Sequence, residues 1–375
     1  MAKSAKWLIQ KDIMRHFPKV ELHRHLEGTF SVPTLFRIAR DNEIGLSDDF
    51  ETFKSQVQFP RDSEPDFLEF LSKFRNDWYR SKKDIQDIVY DSVYEMKNDG
   101  MFYCELRFSP EHFSFFNDYD RLEITKLVIH TANQAATDAG FIVRYLLTFN
   151  RGKQDQDGML KLYNQICKLR LPEIVGIDLA GDEKNFPPEL FPDFFKKVKE
   201  DGKFGITIHA GEVTPSQQIW YAIENLHADR IGHGVSAIYD KKIQKELIKR
   251  NVSLEQCITS NFQTNSWADE KNHPFGRLYK AGVPVTLNSD DPFIQDTDLT
   301  DDYIKAITYF KLKLDDLVKI NHTAIQTSFL SDSEKRQLTS AYDAQIEEFV
   351  KKYVPATDKA NKKLNKKTKT SSKKA

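Results

Sequence analysis

Lys19-Val20-Glu21-Leu22-His23-Arg24-His25-Leu26-Glu27-Gly28 is a short strand-like run that ends in two histidines one residue apart. Side chains alternate between the faces of an extended strand, so His23 and His25 point the same way. Two imidazoles converging at a strand end can form half of a metal site. The same pattern also suits a surface strand that happens to carry two histidines. The remainder of the chain decides between these readings.

Seven further β-like runs follow, with helical patterns between them. They are Met101 to Ser109, Phe141 to Phe149, Glu173 to Leu179, Gly205 to His209, Arg230 to His233, Val252 to Cys257 and Val283 to Asn288. Amphipathic stretches such as Asp84 to Asn98, Leu122 to Asp138 and Asp240 to Arg250 separate them. Strands alternating with helices imply parallel pairing through right-handed crossovers. Eight such units over this length predict a (β/α)8 TIM barrel. No Gly-x-Gly-x-x-Gly follows the first run, which weighs against an open dinucleotide-binding sheet. Ser31-Val32-Pro33 predicts a capped helix running toward Asn42. Between residues 46 and 80, Phe67, Leu68, Phe70, Leu71 and Phe74 fall at helical spacing. They predict a helical excursion whose apolar stripe packs into the core or covers a pocket.

Composition narrows the class. The 375 residues carry a formal net charge of -1, which gives no global field toward nucleic acid or a membrane surface. No apolar run approaches the roughly 18 residues of a membrane span, and the N-terminus lacks a signal-peptide core. Cys104, Cys167 and Cys257 are odd in number and widely spaced, so they make no disulfide framework. The expectation is a soluble cytoplasmic protein that binds neither nucleic acid nor membrane. Residues 1–355 are expected to form one barrel domain. Residues 356–375, rich in Lys, Asn, Ser and Thr, are expected to be a disordered basic tail.

In such a barrel, the active site sits at the carboxyl ends of the strands. Of ten histidines, His23, His25, His209 and His233 lie at three of these ends, and the last run leads into Asp290-Asp291. Three imidazoles and one carboxylate from Asp290 or Asp291 suit one borderline divalent ion, Zn2+ above others, with a position left for water. Such chemistry needs a proton shuttle, and Glu212, three residues beyond His209, is a candidate general acid. His233 could orient the water or stabilise developing negative charge. The bland alternatives are a turn histidine at 233 and a helix N-cap at Asp290-Asp291-Pro292.

These segments resemble the adenosine deaminase family, the barrel-type purine aminohydrolases. The resemblance is carried by PKVELHRHLEG (18–28), ELRFSP (105–110), GIDLAGDE (176–183), HAGE (209–212), RIGHG (230–234), LEQCITSN (254–261), HP (273–274) and LNSDDP (287–292). It implies His23, His25, His209 and Asp290 as zinc ligands and Glu212 as the residue that protonates purine N1. It further implies that His233 orients and helps deprotonate the attacking water, Asp291 meets N7 and the Gly181 N–H meets N3. The implied reaction converts adenosine, and 2′-deoxyadenosine, to the 6-oxopurine nucleoside and ammonia. Glu27 stands where adenosine deaminases commonly have Asp, at a position that meets the ribose. Relatives with Glu there often act on adenine or aminodeoxyfutalosine, so those substrates stay open, as does a non-purine amidohydrolase. The rival two-metal amidohydrolases often carry a lysine at the end of the fourth strand, and none follows Ile177-Asp178-Leu179 here.

Overall fold

The computed structural model describes residues 7–59 and 63–355. Eight strands form one parallel sheet in sequence order: β1 (Lys19–His25), β2 (Met101–Phe108), β3 (Ile142–Arg151), β4 (Ile174–Gly181), β5 (Gly205–Ala210), β6 (Arg230–His233), β7 (Ser253–Gln256) and β8 (Val285–Leu287). Helices fill every crossover, as the alternation predicts, and the result is a (β/α)8 barrel. Their starts follow the local chemistry. Asp120 accepts from the Glu123 N–H to open the helix Arg121–Ala139, and Gly140 ends it in the left-handed region at φ 82°.

Closure between β8 and β1 uses side chains as well as backbone. The Asp290 N–H donates to the His23 carbonyl (3.1 Å), and the His25 N–H donates to the Asp290 carbonyl (2.9 Å). Below that single bridge, the Leu22 N–H donates to Asn288 Oδ1 (3.0 Å) and the Val20 N–H to Asn321 Oδ1 (3.2 Å). Two amides thus satisfy the donors that the short β8 leaves unpaired. Asn321 lies on the helix Leu314–Thr327, which packs against both β1 and β8. This helix and its C-terminal neighbour Asp332–Tyr353 were not anticipated from the strand count.

The barrel interior is charged at mid-height. Arg107, Arg230, Glu105, Asp178 and Glu255 are all fully buried, and each meets an opposite charge. In the apolar interior an unpaired charge costs several kcal/mol, so these groups appear only as a closed network. Apolar residues fill the outer layer between strands and helices.

One local expectation changes. Ser31 precedes the helix Val32–Asp41 without capping it, because its hydroxyl donates to Glu95 Oε1 (2.8 Å) instead. Asp290-Asp291-Pro292 opens a turn and caps no helix; the next helix begins at Leu299, with Asp298 as its cap. The excursion forms two short helices, Phe50–Val57 and Phe67–Ser72. The segment 356–375, expected as a disordered tail, lies outside the described residues. No helix among the described residues is long and apolar enough to cross a membrane.

Candidate active site

His23 and His25 leave the end of β1 on one face, while Arg24 between them turns away to Glu21 Oε2 (3.0 Å) and Thr29 Oγ1 (3.2 Å). The seam bridge brings Asp290 beside them, and β5 delivers His209. One nitrogen or oxygen from each of His23, His25, His209 and Asp290 lies within 4.8 Å of the others. His23 Nε2 is 3.1 Å from Asp290 Oδ1, His25 Nε2 is 3.4 Å from the same oxygen, and the Nε2 atoms of His25 and His209 are 3.2 Å apart.

The protonation pattern shows what this cluster fits. His23 Nδ1 lies 2.7 Å from Glu255 Oε2, so it donates there. His209 Nδ1 donates to Asp178 Oδ1 (3.0 Å) and to the Leu179 carbonyl (3.1 Å). Each ring therefore turns a bare Nε2 lone pair inward. His23 Nε2 and Asp290 Oδ1 are buried and make no hydrogen bond. Lone pairs converging at such distances repel unless a proton or a cation stands among them. Three imidazoles and one carboxylate, with carboxylates behind two of the rings, are the donor set of a zinc-like ion. The residues present fit such a metal.

Two site residues hold backbone conformations that L side chains rarely adopt: His233 at φ 57° and Asp290 at φ 67°. Glycines make room for two other site residues, His23 and Asp291. A Cβ on Gly232 would come within 3.0 Å of His23 Cε1, and a Cβ on Gly28 would run into the Asp291 carboxylate. Gly28 is thus the reason Asp291 can stand beside the cluster.

Glu212 follows β5 and is tied down twice. Its Oε1 accepts from Thr264 Oγ1 (3.0 Å), and the loop behind it is held by Glu183, which accepts from the Thr214 N–H (3.0 Å). Burial, with Glu183 and Asp290 nearby, raises the Glu212 carboxyl well above the usual range. Asp291 rises likewise through burial and the charge of Asp290. His233 presents Nε2 to Glu212 Oε2 (3.5 Å) and Asp290 Oδ2 (3.8 Å).

A pocket of about 270 Å³ opens over this cluster. It is lined by every residue singled out from the sequence except His23, which lies beneath it. Phe67, Phe70, Leu71 and Phe74 of the excursion form part of its wall, Phe70 and Phe74 also pack on the core, and Leu68 is exposed. Glu27 Oε1 accepts from the Ser109 N–H (2.6 Å), while its Oε2 is buried without a partner. His112 and Lys153 also line the pocket, and His112 Nε2 is likewise unpartnered.

Sequence reading gave no role to Asp178, Glu255, Arg107, Asn261, His273, His112 or Lys153. The first three carried a signal: a charged residue inside an apolar strand run must find an opposite charge in the barrel. His112 and Lys153 carried none, since helix and loop histidines and lysines are common on surfaces.

The fold is a (β/α)8 barrel, and this constellation lines a pocket at the carboxyl ends of its strands. A family model described as adenosine deaminase matches residues 18–345. The chain belongs to the adenosine deaminase family, hydrolases that act on carbon–nitrogen bonds. It is 33% identical over 337 residues to an adenosine deaminase of Aliivibrio fischeri (strain MJ11), which covers 87% of this chain and 98% of the relative. An adenine deaminase from Arthrobacter aurescens shares the fold at 24% identity and a TM-score of 0.79, covering 88% of this chain and 98% of its own. Arabidopsis ADAL complexed with GMP aligns at 25% identity and a TM-score of 0.77, with 88% and 98% covered.

Proposed function

We propose that this protein is a zinc-dependent adenosine aminohydrolase that also accepts 2′-deoxyadenosine. One observation carries the reading. Buried polar atoms without partners run along a single pocket, from Asp290 Oδ1 and Asp291 Oδ1 to Glu27 Oε2 and His112 Nε2. The first two lie where the base reacts. The last two are unpaired polar atoms that suit the hydroxyl groups of a sugar, which can both donate and accept. Free adenine would leave Glu27 and His112 with buried, unsatisfied atoms, at about 1–3 kcal/mol each.

His23, His25, His209 and Asp290 would hold the ion, which when bound would make water acidic enough to ionise near neutral pH. Glu212 carries the proton that purine N1 takes, drawing electron density from C6. Asp291 meets N7, and the Gly181 N–H meets N3. His233 bonds the oxygen that arrives at C6. Water and adenosine become inosine and ammonia.

The test is an absorbance assay of metal-loaded protein with adenosine, 2′-deoxyadenosine, adenine and AMP. Adenosine should give the highest kcat/KM. A higher value for adenine would overturn the sugar assignment. Absence of any turnover in protein carrying one zinc per chain would overturn the reaction itself.

A further inference from the structure

Behind His233 runs a line of buried side chains that the chemistry above does not use. The Phe275 N–H donates to His273 Nδ1 (3.2 Å). A backbone N–H can only donate, so His273 Nδ1 is bare and the proton of the neutral ring sits on Nε2. Burial keeps that ring neutral, with its pKa pushed down to about 3. His273 Nε2 lies 3.1 Å from Asn261 Oδ1, which orients the amide with its oxygen toward His273. The NH2 then faces His233 Nδ1 at 3.1 Å and the Glu212 carboxyl beside it. The reversed amide would set two donors together at His273.

With Asn261 donating, His233 Nδ1 is an acceptor. The ring proton is left on Nε2, the nitrogen that faces Glu212 and Asp290. His233, Asn261 and His273 are each at most 1% exposed, so water does not compete for these bonds.

We propose that His273 and Asn261 are positioning residues that hold His233 in its Nε2–H tautomer, so that the imidazole meets the reacting centre as a hydrogen-bond donor. The origin of this setting is the fixed polarity of one backbone amide at Phe275, passed on through two side chains. A neutral ring in this tautomer cannot take a proton through Nε2; it orients an oxygen and stabilises charge developing there. This differs from the deprotonating role that the family resemblance implies. The catalytic consequence rests on the aminohydrolase reading, whereas the tautomer does not.

The experiment is nitrogen NMR of the full, zinc-loaded chain with 15N-labelled histidine, the His233 signals being assigned against His233→Gln. The expected spectrum has His233 protonated at Nε2 and bare at Nδ1. His273→Leu removes the donor to Asn261. It should give a mixed tautomer spectrum and lower kcat roughly 10–100-fold, the range for an orienting partner, with KM unchanged. His273→Gln, whose amide can donate to Asn261, should restore the single tautomer and most of kcat. Finding the proton on Nδ1 in the unmodified protein overturns the proposal. So does a His273→Leu protein whose ring spectrum and kcat match the unmodified one. If His273→Leu does not fold, the unmodified spectrum decides by itself. A chain that turned over no 6-aminopurine would still report its tautomer.

Discussion

Glu255→Gln tests the charged layer beneath the histidines. Glu255 is fully buried on β7 and accepts from His23 Nδ1 (2.7 Å), Arg107 Nη2 (2.8 Å), Arg230 Nε (2.6 Å) and Thr207 Oγ1 (3.0 Å). Glutamine keeps the volume but supplies only one oxygen, with an NH2 in place of the other. Whichever way it turns, two donors meet on one side. Removing one partner of a buried ion pair costs about 3–5 kcal/mol. Arg107 keeps Asp178 (3.1 Å) and Arg230 keeps Glu105 (2.6 Å), so the cost falls at the lower end. With an unfolding entropy of roughly 2.1 cal/mol/K per residue, about 3 kcal/mol over a chain of this size lowers Tm by about 4 °C. The substitution also removes the carboxylate that orients His23, which lowers metal affinity roughly 10–100-fold. Thermal melts of metal-free protein read the first effect, and competition with a chelator reads the second. An unchanged Tm and an unchanged zinc affinity would refute the view that Glu255 both balances the arginines and aims His23.

Glu212→Gln should keep the metal and lose roughly 10²–10⁴-fold in kcat; metal analysis beside steady-state kinetics checks it, and near-normal turnover removes Glu212 from proton transfer. Gly28→Ala should push Asp291 out of place and cost on the order of 100-fold in kcat/KM, the effect of a misplacement near 1 Å, with zinc content unchanged. Burial keeps His112 neutral in the folded protein, with its pKa lowered to about 3 from the usual 6.5. Between those values the unfolded chain binds the extra proton, so stability falls as pH drops from 6.5 toward 3, by up to about 1.4 kcal/mol per pH unit. Urea titrations at pH 7 and pH 5 should show a smaller pH difference for His112→Phe than for the unmodified protein, and equal differences would refute it.

Much of the barrel was legible because a parallel strand between two helical layers announces itself locally. The eight apolar runs and the spacing between them needed no knowledge of partners. β6, Arg230 to His233, has the same bounds in the sequence reading and in the structure. The sequence pattern predicts a longer β8 than the structure has, because Val283 and Asn288 look like strand residues. In the fold, Asn288 spends its side chain on the β1 backbone. The last two long helices have no place in the strand–helix alternation because they belong to no βα unit; their places are set by what they cover.

The site divides in the same way. His23, His25, His209, Asp290, Glu212 and His233 could be gathered from sequence because each stands at or just past a strand end, and barrel topology puts all such ends on one face. Their types and order also placed the chain beside a known family. What the sequence could not determine is which lone pairs face inward. That is decided by Glu255 behind His23, by Asp178 behind His209 and by the Phe275 amide three links behind His233. A hydrogen bond between residues far apart in the chain has no local signature, and only the closed barrel brings these partners within 3 Å or so of the rings they orient.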